Sequence, residues 1–145
     1  MNETPDIGSA LDQPDKVFRY LTEKLPDSLV YRPDVENMIV VHLNTRRRPI
    51  GFEIISNGTL DTILVHPREV FKAAIVMNAA AIVLAHNHPS GDPTPSDADV
   101  KVTRDLIRAG QLLKIEVLDH IVLGKATMER QRPYASLREL GYFYS

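Results

Sequence analysis

Apolar positions along the chain switch between two periods, and the switches mark the elements. Val17, Phe18, Leu21 and Leu25 recur at helical spacing behind Pro14, a residue suited to a first helical position, and Pro26 with Asp27 closes that helix. The apolar run Met38 to Leu43 predicts a strand, the polar Arg46 to Pro49 a connection, and Ile50 to Ser56 a second strand. The pair reads as an antiparallel hairpin. Pro67 opens a second helix whose inward stripe is Val70, Phe71, Ala74 and Met77. Ala79 to Ala85 is uninterrupted apolar sequence, as expected of a strand covered on both faces, and it runs straight into His86-Asn87-His88. A loop bearing Pro89, Gly91, Pro93 and Pro95 follows. A third helix is expected from Ser96 to Gly110, with the glycine as its left-handed cap. Beyond it the pattern predicts a strand over Ile115 to Leu123, a short strand near Thr127 and a last helical turn at Ala135 to Leu140. Alternating strands and helices predict an α/β layered fold, a mixed β-sheet with flanking helices. Residues 1–13 are polar and aperiodic and read as a flexible N-terminal tail, leaving residues 14–145 as one domain.

Composition narrows the function classes. The chain has no cysteine, which removes disulfides, thiolate metal sites and cysteine nucleophiles together. A formal net charge of −2 gives no basic excess for phosphate contacts, and the short run Arg46-Arg47-Arg48 reads as a solvated turn. No stretch approaches the roughly 18 apolar residues of a membrane span, and no basic-then-apolar leader opens the chain. A cytoplasmic protein that does not engage a membrane is expected.

Of five histidines, only His86 and His88 stand at ligand-like spacing. Residues i and i+2 of an extended segment point the same way, so two imidazoles at a strand end can converge on one ion. They can equally be loop residues that bond backbone carbonyls. A third ligand should come from a neighbouring element, and Asp99 fits best. It shares one face of the third helix with Val102, Leu106 and Ala109, and a carboxylate on an apolar stripe is costly unless a cation meets it. Ser96 and Asp99 also match a capping box, as N-cap and third helical residue. The two roles of Asp99 are compatible, because a carboxylate has two oxygens. His120 reads as a core histidine, His66 as a residue shaping the turn before a helix, and His42 as a strand residue without a partner in sequence. The literal tripeptide His-Asn-His is unrelated to HNH nucleases, whose residues are spread over a ββα element.

The string His86-x-His88, seven residues, Ser96, two residues, Asp99 resembles the JAMM signature of the JAB/MPN metallopeptidase superfamily. The longer text resembles its RadC branch. It comprises Gly58-Thr59-Leu60, Val65-His66-Pro67-Arg68-Glu69-Val70-Phe71, the run Asn78 to Gly91, Leu118-Asp119-His120, and Ser136 to Gly141. The likeness covers roughly Asp15 to Gly141. It implies a RadC-like JAB/MPN domain with a three-layer, cytidine-deaminase-like architecture. It also implies a catalytic zinc held by His86, His88 and Asp99 with a fourth position open to water. Glu53, on the strand before Gly58-Thr59, matches the superfamily's upstream glutamate and would accept the water proton; Ser96 would bond the developing oxyanion. The implied activity is hydrolysis of a peptide or isopeptide bond in a protein or peptide substrate. The alternative carried by the same resemblance is a DNA-repair or mobile-element-associated protein that binds nucleic acid. The set His86, His88, Asp99, Ser96 and Glu53 argues against a silent scaffold. Two departures stand out. Fewer than about forty residues precede the first strand, too few for the helix-hairpin-helix region that the family usually carries there, and Lys125 to Arg132 lacks the usual glycine-containing turn and strand.

Overall fold

The computed structural model of the chain describes residues 9–58 and 65–143. Residues 1–8 of the expected tail and the Thr59-Leu60 part of the glycine motif lie outside the described residues. Helix α1 (Pro14–Lys24) runs into a 3-10 turn at Leu25–Asp27. Strands β1 (Glu36–Leu43) and β2 (Pro49–Gly58) form the expected antiparallel hairpin. Helix α2 (Pro67–Val76), strand β3 (Ala81–Asn87), helix α3 (Asp97–Leu113) and strand β4 (Glu116–Leu123) follow, and β5 (Tyr134–Ser136) ends the sheet. The strand order is β2-β1-β3-β4-β5, with β3 and β4 parallel and the other pairs antiparallel. A parallel pair needs a long crossover, and α3 supplies it.

Side-chain alternation sorts the core into two layers around this mixed sheet. Ile39, Val41, Leu43, Val83, Ala85, Ile121 and Leu123 face α1, where Val17, Leu21 and Leu25 cover them. Val40, Ile82, Leu84 and Val117 face the other way, against Val70, Phe71 and Ala74 of α2 and Leu106 of α3. The three-layer architecture is therefore helix, sheet, helices. All seven residues of β3 are buried, as its unbroken apolar run predicts. Leu11, inside the expected tail, packs into the α1 layer, and its N–H donates to the Arg47 carbonyl at 2.8 Å, so folded structure extends at least to Leu11.

Three expectations are corrected. Helix α3 continues past Gly110 to Leu113, and Lys114 rather than a glycine takes the left-handed cap conformation (φ 60°). Gly110 serves a close approach instead: a Cβ there would collide with the Ile115 carbonyl oxygen and lie 3.3 Å from Phe71 Cζ. Helix propensity favours alanine over glycine by about 1 kcal/mol. Here the backbone clash reverses the sign, and Gly110→Ala is expected to cost about 1–3 kcal/mol, read as a lower urea midpoint. No strand forms near Thr127, where Thr127 and Arg130 bond each other's backbone in a tight turn; the strand lies at Tyr134–Ser136. Ala135 to Leu140 is not a helical turn from its start. The Ser136 hydroxyl donates to Asp119 Oδ2 at 2.6 Å, which holds this stretch extended beside β4 before the chain turns.

Among the described residues no helix is long and apolar enough to cross a membrane.

Candidate metal centre

The central strands end where the chemistry collects. His86 is opposite Met38 in the β1–β3 ladder and, at 1% exposure, points into the α3 layer. The His88 N–H donates to the Leu123 carbonyl (2.9 Å), which keeps the chain beside β4 as it leaves β3. Helix α3 then starts so that Asp99 meets both rings. Glu36 opens β1 two residues before Met38, so alternation puts it on the same face as His86 and at the same end of the sheet. One donor atom from each of Glu36, His86, His88 and Asp99 lies within 4.8 Å of the others. His86 Nε2 is 3.0 Å from His88 Nε2 and 3.2 Å from Asp99 Oδ1; His88 Nε2 is 3.3 Å from Asp99 Oδ2. Two ligands bound at 2.0–2.1 Å in a tetrahedral set stand about 3.3 Å apart, so the spacing suits one small cation.

Hydrogen bonds behind the rings set the lone pairs. His88 Nδ1 lies 2.7 Å from the Asp92 carbonyl, which only accepts, so Nδ1 carries the proton and Nε2 is left as a donor to a cation. The Thr103 hydroxyl donates to the Asp99 carbonyl at 2.7 Å and therefore accepts from His120 Nδ1. Full burial, reinforced by the neighbouring His86 ring, holds His120 well below the ordinary histidine range and thus neutral, so its Nε2 is an acceptor. His86 Nδ1, 2.7 Å away, must then supply the proton, so that in the neutral ring His86 Nε2 is bare. Two bare ring nitrogens facing one another at 3.0 Å repel unless a cation lies between them. A metal fits this donor set, and orientation of ligand histidines through their far nitrogens is how such sites are commonly held.

The electrostatics agree. In the metal-free chain, where protons on the two Nε2 atoms take the cation's place, burial alone would raise the Asp99 carboxyl, but hydrogen bonds from His86 and His88, the charge of His86 and the Ser96 N–H bring it well below the usual carboxylate range. Burial would lower His88, yet its bonds to Asp99 and Asp92 and the charges of Asp99 and Glu36 leave it raised. In metal-free protein a depressed Asp99 contributes stability above about pH 4 that is lost as pH falls. A raised His88 contributes stability below about pH 6.5 that is lost as pH rises through its folded value. The gap in urea midpoint between chelator-treated chain and its Asp99→Asn variant is therefore expected to be widest between about pH 4 and 6.5, narrowing on both sides.

Of the residues singled out in the sequence, His86, His88 and Asp99 come together. Ser96 stands beside them as the N-cap of α3: its Oγ accepts the Asp99 N–H (3.1 Å) and its own N–H donates to Asp99 Oδ2 (2.8 Å). The capping box and the candidate ligand position thus coexist in one carboxylate. Glu53 does not join them. It pairs with Val40, four residues along β1 from Glu36 and one strand further out, so about 13 Å of strand separates their levels. Its carboxylate instead meets His42 Nε2 at 3.1 Å, and His42, which had no partner in sequence, is fully buried. Burial pushes His42 down against the opposing pull of Glu53. The acidic residue that reaches the centre is Glu36. Its signal was an acid at the lip of the first strand, usable only once the β1–β3 register is known. His120 is the core histidine expected, and its bond to His86 gives it an orienting role as well.

A family model described as RadC-like JAB domain matches residues 11–142. A UPF0758 protein of Chlorobium chlorochromatii is 47% identical over 109 residues, covering 75% of this chain and 47% of that protein. Another, from Symbiobacterium thermophilum, is 47% identical over 131 residues, 90% of this chain and 51% of its own length. One from Moorella thermoacetica is 57% identical over 91 residues, 63% of this chain and 40% of its own. The chain spans about half the length of the curated relatives it matches.

Proposed function

The chain belongs to the RadC-like JAB domain family, and on that premise we propose that it is a zinc-dependent hydrolase of the JAMM type that cleaves a peptide or isopeptide bond. The observation that carries the reading is the convergence of two imidazole nitrogens, the Asp99 carboxylate and Glu36 at one sheet end. His86, His88 and Asp99 would hold the metal. Zinc in such a set supplies Lewis acidity, bringing a water pKa from about 15.7 to about 7 and polarising a carbonyl.

The remaining chemistry belongs to the side chains. Glu36, half-buried beside the ligands, takes the proton of the attacking water and returns it to the leaving amine. This is the role that the resemblance gave to Glu53, moved to the carboxylate that the fold brings within reach. Ser96 uses its oxygen lone pair on the Asp99 N–H, which leaves its hydroxyl hydrogen to turn toward the carbonyl oxygen as negative charge develops there. The His86–His120–Thr103 chain and the His88–Asp92 bond keep both rings in the tautomer that such a centre needs.

A library of peptides and isopeptide-linked lysines, incubated with the chain before and after chelation, tests this. Cleavage that disappears on chelation and returns with zinc is expected. A chain loaded with zinc that cleaves no member of either class speaks against the hydrolase.

A further inference from the structure

We propose that Asn87, the residue between the two histidines, is a positioning residue that fixes Glu36 through its carboxamide; the proposal rests on the hydrolase reading above. The aligned residues of β1 and β3 stop at Met38 and His86, and the next N–H beyond β3, that of His88, goes to Leu123 of β4. The Asn87 side chain takes over where the ladder ends. Its Oδ1 accepts the Asn37 N–H at 2.8 Å, and its Nδ2 donates to the Val35 carbonyl at 2.9 Å. In an extended strand the N–H of one residue and the C=O of the residue two before it point to the same side. The two bonds therefore clasp the backbone immediately before and after Glu36. A carboxamide carries the C=O and N–H of a peptide group, so it serves as one more rung.

The clasp is buried and braced. Asn37 is 0% exposed and Asn87 5%. Asn37 Oδ1 accepts from the Arg32 N–H at 3.2 Å and from Asn57 Nδ2 at 2.5 Å, while its amide nitrogen reaches the Arg32 and Val35 carbonyls at 2.8 and 2.9 Å. By alternation these asparagines occupy the sheet face opposite Glu36 and His86. Asn87 thus holds the strand lip from behind, without entering the reaction space. An apolar residue would fill the same volume but leave Val35 C=O and Asn37 N–H without these bonds. A proton-transferring carboxylate on the first residue of a strand needs such a hold, since working constellations tolerate only about 0.5 Å of drift.

Two measurements on the full chain test the proposal. By residue-resolved amide hydrogen exchange, Asn87→Ala is expected to speed exchange at Asn37 by roughly tenfold or more while Ile39 to Leu43 stay as they are. Unchanged exchange at Asn37 overturns it. With cobalt(II) as probe, Glu36→Gln is expected to shift the visible spectrum of the bound ion. The same substitution in an Asn87→Ala background should shift it by less than about half as much, because the two residues act as one unit. Equal shifts in both backgrounds overturn the proposal. A chain that takes up no cobalt sinks the hydrolase reading, and the exchange measurement still decides on Asn87. Where truncation unfolds the chain, Asn87→Asp, equal in size, retains the acceptor for Asn37 and loses the donor to Val35. It is expected to keep Asn37 protected and still diminish the Glu36 effect; an undiminished effect counts against the clasp.

Discussion

Zinc bound at about one equivalent per chain is expected to fall to background in the His86→Ala/His88→Ala variant, measured by metal analysis of protein purified without added metal. The two substitutions remove two of the three proposed ligands, and Asp99 alone cannot compete with water for a divalent ion. The expected loss is large because the centre is prearranged: both rings are held by bonds on their far nitrogens before any ion arrives. The variant also unpairs groups. Asp99, with a side chain only 15% exposed, loses both imidazole partners, and the buried His120 loses the proton donor on its Nε2. Some stability should go with the metal, so circular dichroism must accompany the analysis. Equal zinc in both proteins, both folded, would remove the metal centre from these residues.

How much of this was legible without coordinates follows from which signals are local. The apolar run of β3, the proline-opened helices α1 and α2 and the hairpin of β1 and β2 are encoded within about ten residues each, and they were read correctly to within a few positions. His86, His88 and Asp99 were also local, because a strand alternation and a helix face constrain them. Gly110 was misread because a glycine required by a neighbouring carbonyl looks in sequence like a cap; only the packing of α3 on Ile115 and Phe71 tells them apart. The β5 strand was misplaced because its Ser136 hydroxyl is held by Asp119, seventeen residues away. Glu36 and Glu53 show the limit most sharply. Both are acids on adjacent strands, and their distance to His86 depends on strand register, which no single segment specifies.

That pair of glutamates supplies the second large effect. Glu36→Gln is expected to retain zinc and lose hydrolysis by roughly 10²–10⁴-fold, the usual range for removing a general base, whereas Glu53→Gln keeps both metal and rate within a few-fold. Glutamine preserves the size of Glu36 and its hydrogen-bonding reach but cannot accept the proton of the attacking water. The loss should appear in kcat more than in KM, since the proton moves in the transition state rather than on binding. Glu53 has a different office: it partners the buried His42, whose Nδ1 finds no hydrogen-bond partner among the described residues. Its amide replacement should therefore register in stability, as a lower urea midpoint, and not in turnover. The opposite pattern, with Glu53→Gln silencing a zinc-loaded enzyme while Glu36→Gln stays active, would mean that the sheet end where Glu36, His86, His88 and Asp99 meet is not where the water is activated.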